Sequence, residues 1–134
     1  MVLDFCGGSG GKSLAIAHLL EGKGQIYVHE PREKALANAK KRFQRAGITN
    51  VQYHANEETL KKHLLSKADW ILLDVPCTGT GTIRRNPDIK FRYSQKHLDN
   101  LILLQQNIFH SSLKYLKKSG KIVYITCSLL REEN

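Results

Sequence analysis

The sequence lacks any long apolar run and contains few cysteines. No stretch approaches the roughly 18–20 apolar residues of a membrane span, and the amino terminus lacks the charged, apolar and small-residue succession of a signal peptide. The three cysteines include no CxxC pair, which argues against a disulfide framework and a closed structural zinc site. We therefore expect a cytoplasmic monomer with reduced thiols, no membrane association and no metal.

Internal repeats and low-complexity tails are also absent. The 134 residues, 41% of them hydrophobic, suffice for one domain with a core and are too few for two. Predicted core strands lie very close to both ends of the chain. We therefore expect residues 1–134 to form a single core domain that is truncated at both ends.

Short β-branched or aliphatic runs alternate with longer amphipathic stretches, which is typical of βαβ units. The pattern predicts an α/β fold, with helices on both faces of a mostly parallel sheet of about five strands. The strands are predicted at 2–6, 25–30, 51–54, 70–74 and 121–126. Helices are predicted at 12–20, 32–46, 57–66 and 95–118, with Gly47 and Gly120 ending the second and the fourth.

A glycine-rich turn follows the first predicted strand, where the backbone can approach a ligand closely. A phosphate-binding P-loop requires glycine at position 6, where this chain has Cys6, and a dinucleotide fingerprint fails at Ser13. The looser acid-x-G-x-G-x-G turn of adenosylmethionine-dependent methyltransferases fits, with Asp4, Cys6, Gly8 and Gly10 in its four fixed places.

Glu30 ends the second predicted strand about twenty residues after the turn. Nucleoside-binding α/β folds place a carboxylate there, where it accepts hydrogen bonds from ribose hydroxyls. A surface position at a strand end is the alternative.

Two cysteines follow strands at the same edge of the predicted sheet. Cys77 follows the fourth strand and Asp74, and Cys127 closes the fifth strand. In an open parallel sheet, ligands bind beyond the carboxyl ends of the strands. A thiolate added at carbon 6 of cytosine makes carbon 5 nucleophilic enough to accept a methyl group, and a second group can then aid release. Asp74 would stabilise the adduct at the N3 and N4 edge of the ring.

With these motifs, the sequence resembles the RsmB/Sun family of RNA 5-methylcytosine methyltransferases. Residues 4–13 look like the family's D-x-C-A-x-x-G-G-K-S/T turn, residues 74–81 like its D-A/V-P-C-S-G-T-G segment, and residues 126–128 like its T-C-S segment. Residues 84–90 and 132–134 also match. The likeness spans essentially the whole chain and implies a Rossmann-like class I methyltransferase core that acts on RNA, of the bacterial ribosomal type.

The resemblance also implies roles for individual residues. Cys127 would be the nucleophile and Cys77 would promote release, with Asp74 and Lys12 beside them in the active site. S-adenosylmethionine would contact Asp4, Cys6, Gly7, Gly8, Ser9, Gly10, Gly11, Lys12, Glu30, Asn56 and Asp74. Three positions depart from the family pattern: Gly7 replaces a common alanine, Ser9 replaces a frequent proline, and Asn56 replaces the aspartate expected to meet the adenine.

A basic segment lies next to the predicted cysteine site, in a chain of net charge +9. Its cations are interleaved with Phe91 and Tyr93, and such segments bind phosphates while aromatic rings stack unpaired bases. We expect RNA contacts from Arg84, Arg85, Lys90 and Arg92. A solvated loop with its aromatic rings packed inward is the alternative, and for the whole chain the alternatives are a noncatalytic RNA-binding or assembly module and a P-loop nucleotide hydrolase.

Overall fold

A computed structural model describes all residues from Met1 to Asn134. The strands are β1 (Val2–Asp4), β2 (Ile26–His29), β3 (Val51–His54), β4 (Ala68–Asp74) and β5 (Leu116–Ile125). The helices are α1 (Gly11–Leu19), α2 (Glu33–Arg45), α3 (Glu57–Leu64), α4 (Ile89–Arg92) and α5 (Gln95–Leu113), with 3₁₀ turns at Thr80–Thr82 and Arg131–Glu133.

The five strands form one sheet in the order β3-β2-β1-β4-β5, and every neighbouring pair is parallel. The chain first builds outward from β1 to β3, then crosses back to place β4 on the other side of β1. The strand order therefore reverses between β1 and β4, and a crevice opens beyond their carboxyl ends, where α/β sheets bind ligands. The predicted fold class is confirmed.

Helices cover both faces of the sheet. On one face, α3 and α5 pack on a core that includes Leu3, Phe5, Tyr27, Leu60, Leu64, Ile71, Leu73 and Tyr115. On the other face, α1 and α2 pack on a smaller core of Ala17, Ile26, Val28 and Phe43. The alternation of side chains along a strand explains the division, since neighbouring residues such as Tyr27 and Val28 point to opposite faces. None of the helices combines the length and the apolar character that crossing a membrane requires.

The boundary between the last helix and the last strand was predicted wrongly. We expected a helix over 95–118 that ended at Gly120, but α5 ends at Leu113 and Gly120 lies inside β5. Leu116 and residues 121–125 pair with β4, and just before the strands the Ser66 amide donates to Lys114 O at 2.9 Å and the Ala68 amide to Tyr115 O at 2.9 Å. The polar run 117–119 resembles an exposed helix end in sequence, and it lies at the irregularity of β5 between the pairs Ala68–Leu116 and Trp70–Lys121.

Most other predicted boundaries are correct within two residues. Gly47 follows α2 with φ 69°, as predicted for a left-handed residue after a helix. The segment 75–94, which showed no regular period, contains the first 3₁₀ turn and α4.

Candidate active site at the carboxyl edge of the sheet

The glycine turn between β1 and α1 forms the floor of the site. Gly8 and Gly10 have φ values of 50° and 80°, which glycine adopts without steric cost. A Cβ on Gly7 would lie 2.4 Å from Val28 Cγ1, and one on Gly10 would lie 3.0 Å from Ala39 Cβ. The alanine common at position 7 in the resembled family would therefore require Val28 to move or change.

Asp4 lies beneath this turn and is 1% exposed. Its Oδ2 accepts a hydrogen bond from the Ser13 hydroxyl. Burial, the largest influence, raises the pKa of Asp4 to about 6, although the hydrogen bond from Ser13 opposes the shift. The structure thus shows Asp4 holding the first turn of α1 against β1. Its predicted place in cofactor binding stays a prediction.

Glu30, which follows β2, is joined to the glycine turn. Its Oε2 accepts from the Gly8 amide at 2.9 Å, and its two oxygens accept from Arg32 Nε at 2.7 Å and Arg32 Nη2 at 3.0 Å. Burial by itself would raise the pKa of Glu30, but these bonds outweigh it and the pKa is lowered. The carboxylate is therefore ionised at neutral pH, and its negative charge, bonded to the Gly8 amide, repels a phosphate that approaches the turn. This disfavours the hydrolase alternative.

A cleft of about 860 Å³ opens over the carboxyl ends of β1, β2 and β4. We call it the main cleft. It brings together seven of the predicted residues, namely Cys6, Gly8, Glu30, Asn56, Asp74, Cys77 and Cys127. A second cavity of about 500 Å³ lies across the turn and is lined by Asp4, Cys6, Gly7, Gly8, Ser9, Gly11, Lys12 and Asp74. Gly10 is buried and lines neither.

One wall of the main cleft was missed by the sequence analysis. It consists of Leu104, Asn107, Ile108 and Ser111 on α5. These positions follow the i, i+3, i+4, i+7 spacing of a single helical stripe, and that spacing was the available signal. Asn56 also has a role that was missed, since its Oδ1 caps α3 by accepting from the Thr59 amide at 3.0 Å.

Lys12 and Asp74 are in direct contact. Lys12 Nζ lies 2.5 Å from Asp74 Oδ2, and the two side chains are 46% and 36% exposed. Lys12 belongs to the first turn of α1, and Asp74 ends β4. Because these elements are neighbours at the crevice, the pair bridges the two cavities.

The cysteines occupy the end of the main cleft nearest β5. Cys77 Sγ lies 3.1 Å from Cys127 Sγ, and the Cys127 amide donates to Cys77 Sγ at 3.3 Å. Burial chiefly, and then the hydrogen bond with Cys77, raises the pKa of Cys127 to about 11. Burial raises the pKa of Cys6 to about 12, with Asp4 and Glu30 adding to the effect. Cys6 is thus a neutral thiol in the turn, apart from the pair.

The basic segment surrounds a smaller pocket beside the cysteines. This pocket, about 290 Å³, is lined by residues that include Cys77, Asn86, Arg92, Tyr93 and His97. Phe91 is 81% exposed and Tyr93 is 44% exposed, so these rings face solvent rather than the core.

The four predicted RNA-binding cations differ in their surroundings. Arg92 forms an ion pair with Asp88 at 2.8 Å. Lys90 Nζ lies 4.8 Å from the centre of the Phe91 ring. Arg84 and Arg85 are exposed and form no salt bridge. The chain contains no cluster of three or more His, Cys, Asp or Glu side chains suited to a metal ion.

Comparison with known proteins gives consistent matches along the whole chain. A family model described as 16S rRNA methyltransferase RsmB/F matches residues 1–134. Ribosomal RNA small subunit methyltransferase F of Aeromonas salmonicida is 34% identical over 135 residues, which cover 100% of this chain and 28% of that protein. The tRNA (cytosine(72)-C(5))-methyltransferase of Pyrococcus horikoshii is 33% identical over 134 residues, covering 100% of this chain and 34% of the relative.

A solved structure extends the likeness to three dimensions. NSun6 from Pyrococcus horikoshii, solved with SFG, superposes with a TM-score of 0.86 at 32% identity, covering 100% of this chain and 34% of that one. The present chain therefore spans about a third or less of the length of the relatives it matches.

Proposed function

The chain belongs to the 16S rRNA methyltransferase RsmB/F family, and we propose that it forms the catalytic core of an enzyme that methylates carbon 5 of a cytosine in RNA. The observation that carries the proposal is the pair of thiols at 3.1 Å, at the end of a cleft that also holds Glu30 and the glycine turn. Carbons 5 and 6 of cytosine are bonded neighbours. A single ring can therefore present one carbon to each sulfur.

Cys127 is the nucleophile in this proposal, as the family resemblance implies. It is the more exposed of the two thiols. The thiolate of Cys127 adds to carbon 6 of the cytosine, and electron density moves to carbon 5, which then accepts the methyl group. Because the pKa of Cys127 lies at about 11, its proton must leave as the sulfur attacks. The Asp74 carboxylate lines the same cleft and can accept that proton and pass it to N3 of the ring.

Cys77 aids release in the proposal. After methyl transfer, the carbon 5 proton must leave and the sulfur of Cys127 must depart with its bonding pair. Cys77 is partly exposed, so its own proton can pass to solvent, and the resulting thiolate beside carbon 5 can accept the carbon 5 proton as a general base. The Cys127 amide donates to Cys77 Sγ at 3.3 Å, which holds this sulfur beside the one that forms the adduct.

Asp74 and Lys12 complete the catalytic set. Asp74 lines the main cleft together with both cysteines, where its carboxylate would bind the N3 and N4 edge of the ring. Lys12 lies 2.5 Å from the Asp74 carboxylate, so it orients that group. Both residues stabilise the charge that develops on the cytosine ring as the covalent adduct forms.

The main cleft fits S-adenosylmethionine as the cofactor, and the NSun6 relative was solved with SFG, an analogue of that molecule. Glu30 offers a carboxylate for ribose hydroxyls, while Phe5, Leu104 and Ile108 provide apolar surface for an adenine. Asp74 and Glu57 also line this cleft, which suits a cationic sulfonium. When bound, the cofactor supplies the methyl group that carbon 5 receives.

RNA is the proposed partner, and small-subunit ribosomal RNA is the first candidate since most of the similar proteins are named for it. Arg92 lines the pocket that contains Cys77, and Arg84 and Arg85 are exposed cations of the same segment that can contact phosphates. Exposed Phe91 and Tyr93 can stack unpaired bases. Ribosomal and transfer RNA are distinguished by comparing transcripts of each in the same assay.

A mechanism-based trap tests the proposal. In 5-fluorocytosine, a fluorine replaces the hydrogen on carbon 5 and cannot leave as a proton. The covalent adduct between RNA and protein therefore persists, and it slows the migration of the protein on a denaturing gel. We expect an adduct that depends on S-adenosylmethionine, is lost in Cys127→Ala and persists in Cys77→Ala. Ser119→Ala, on the exposed part of β5, is the matched control and should behave as the wild type. If the protein binds both the cofactor and RNA but forms no adduct, the result would favour the noncatalytic alternative.

A further inference from the structure

One buried carboxylate lies behind the two cysteines and is unused by the chemistry above. Glu133, in the last 3₁₀ turn, is 2% exposed. None of the ion pairs in the chain includes it. A buried charge without a countercharge is costly unless several donors compensate it. The question is therefore which groups Glu133 holds.

The Glu133 carboxylate is bonded to the segment that carries Cys77, both directly and through Gln105. Its Oε1 accepts from the Thr78 amide at 2.9 Å, and its Oε2 accepts from the Thr78 hydroxyl at 2.5 Å. Gln105 Nε2 donates both to Glu133 Oε1 at 3.0 Å and to Pro76 O at 2.9 Å. The residues before and after Cys77 are thus both fixed by this buried cluster.

The same cluster continues to the segment that carries Cys127. The hydroxyl of Ser128 lies 3.1 Å from those of Thr78 and of Thr80. The Thr80 hydroxyl accepts from the Leu129 amide at 2.9 Å, and the Gly81 amide donates to Cys127 O at 2.9 Å. The residues on both sides of Cys77, together with Cys127 and the two residues after it, are therefore tied to one network that includes the Glu133 carboxylate.

The cluster also explains an irregularity of the helix sequence. Gln105 interrupts the apolar stripe of α5, yet it is 3% exposed. Its oxygen accepts from Tyr124 of β5 at 3.3 Å, so one amide links α5, β5 and the two cysteine segments. The lowered pKa of Glu133, where hydrogen bonds from Ser128, Thr78 and Gln105 outweigh the opposing effect of burial, agrees with a carboxylate that stays ionised inside this network.

We propose that Glu133 is a positioning residue that sets the separation of Cys77 and Cys127 by holding Thr78 against Ser128. The proposal rests on the proposed function for its consequence in catalysis but not for its geometry. Removing the charge loosens both segments, and a displacement of about 1 Å in a reacting group costs on the order of 100-fold in rate.

The first test measures cysteine separation without any methyl transfer. The Cys77–Cys127 disulfide is equilibrated in a glutathione buffer, since its formation requires close and well-oriented sulfurs. Glu133→Gln keeps the side-chain volume but places an amide group among the hydrogen-bond donors that face Glu133. We expect it to lower the equilibrium constant for disulfide formation by about tenfold or more. Glu132→Gln, at the exposed neighbouring position, should leave it unchanged. Equal constants for Glu133→Gln and the wild type would overturn the proposal.

The second test follows adduct formation on 5-fluorocytosine RNA. We expect Glu133→Gln to slow the adduct-forming step by about 10- to 100-fold, with the affinities for RNA and S-adenosylmethionine unchanged. If Glu133→Gln does not fold, Thr78→Val replaces it, because it removes the hydroxyl bonds to Glu133 and Ser128 alone. The two proposals can fail separately. If the wild type forms no adduct but Glu133→Gln still weakens the disulfide, the proposed function is contradicted and the positioning role of Glu133 is retained.

Discussion

The sulfur of Cys77 lies 3.1 Å from that of Cys127, although fifty residues separate them in the chain. The sheet accounts for the contact. Strands β4 and β5 are parallel neighbours, and their last paired residues are Asp74 and Ile125. Cys77 and Cys127 each follow shortly after these residues, so both segments leave the sheet side by side and at the same edge.

The first prediction is that mild peroxide joins the two cysteines. A disulfide bond is about 2.05 Å long, so the sulfurs must approach by only about 1 Å. Two thiols and one hydrogen peroxide give one disulfide and two waters. We expect a Cys77–Cys127 peptide pair in the mass spectrum of the digested protein, loss of 5-fluorocytosine adduct formation, and recovery of both with a dithiol. Cross-linked dimers as the main product would contradict the observed separation.

The second prediction concerns the reactivity of Cys127. Its pKa is raised to about 11 by burial, by the hydrogen bond with Cys77 and by nearby negative charge. Below its pKa, a thiol gains thiolate by about tenfold per pH unit. Alkylation of Cys127 by iodoacetamide in the free protein should therefore rise by about tenfold per pH unit from neutral to mildly alkaline pH.

The same experiment has an internal control in Cys77→Ala. The hydrogen bond with Cys77 and the charge of Cys77 both help to raise the pKa of Cys127, so removal of Cys77 should shift the alkylation profile of Cys127 to lower pH. Mass spectrometry of the labelled peptides assigns the site. A rate at Cys127 that is flat with pH near neutrality would mean that the thiol is already ionised, contrary to the raised pKa.

Much of the site was predictable because its signals are local. The glycine turn, Glu30 at the end of β2, and a cysteine after each of two strands are all encoded within short segments. Parallel strands align their carboxyl ends, so placing these motifs at strand ends was enough to assemble them. The carboxylate of Glu133 was different: its partner Thr78 is 55 residues away, and no local pattern marks that contact.

The missed start of β5 has the same cause, and it gives the third prediction. A Cβ on Gly120 would lie 2.8 Å from the Ala68 carbonyl oxygen and 2.6 Å from Leu116 Cδ1. Because the oxygen belongs to the backbone of β4, the strand pair must shift to accept a methyl group. Gly120→Ala should lower the free energy of unfolding by about 1–3 kcal/mol, measured by urea denaturation. Ser119→Ala is the control, and equal stability of both variants would contradict the strand assignment.

The fourth prediction is a pH dependence of stability that depends on Asp4. Burial raises its pKa from 3.8 to about 6, so the folded state holds a proton that the unfolded chain has lost. Stability should then fall as pH rises from about 4 to about 6, by about 3 kcal/mol for this group. Other carboxyl groups, with lowered pKa values, change stability in the opposite direction.

The comparison of wild type with Asp4→Asn isolates this effect. We expect the free energy of unfolding of Asp4→Asn, relative to that of the wild type, to increase as the pH rises from about 4 to about 6. Urea denaturation at several pH values measures it. A difference that stays constant with pH would show that Asp4 titrates normally in the fold.

The fifth prediction follows from how the Glu30 carboxylate is occupied. Oε1 accepts from the Arg32 amide at 2.9 Å and from Arg32 Nε at 2.7 Å, and Oε2 accepts from Gly8 and from Arg32 Nη2. A carboxylate has about four acceptor positions, so ribose hydroxyls bind only by displacing the Arg32 side chain, which is 75% exposed and free to move.

Two substitutions therefore act in opposite directions on the affinity for S-adenosylmethionine, as measured by calorimetry. Glu30→Gln should weaken binding by on the order of 10- to 100-fold, because a charged acceptor is lost. Arg32→Ala should bind as tightly as the wild type or more tightly, since it frees acceptor positions on Glu30. Glu33→Gln, exposed at the start of α2, is the matched control. Weaker binding in Arg32→Ala would show that the arginine itself contacts the cofactor, and Glu30 would then serve to hold Arg32.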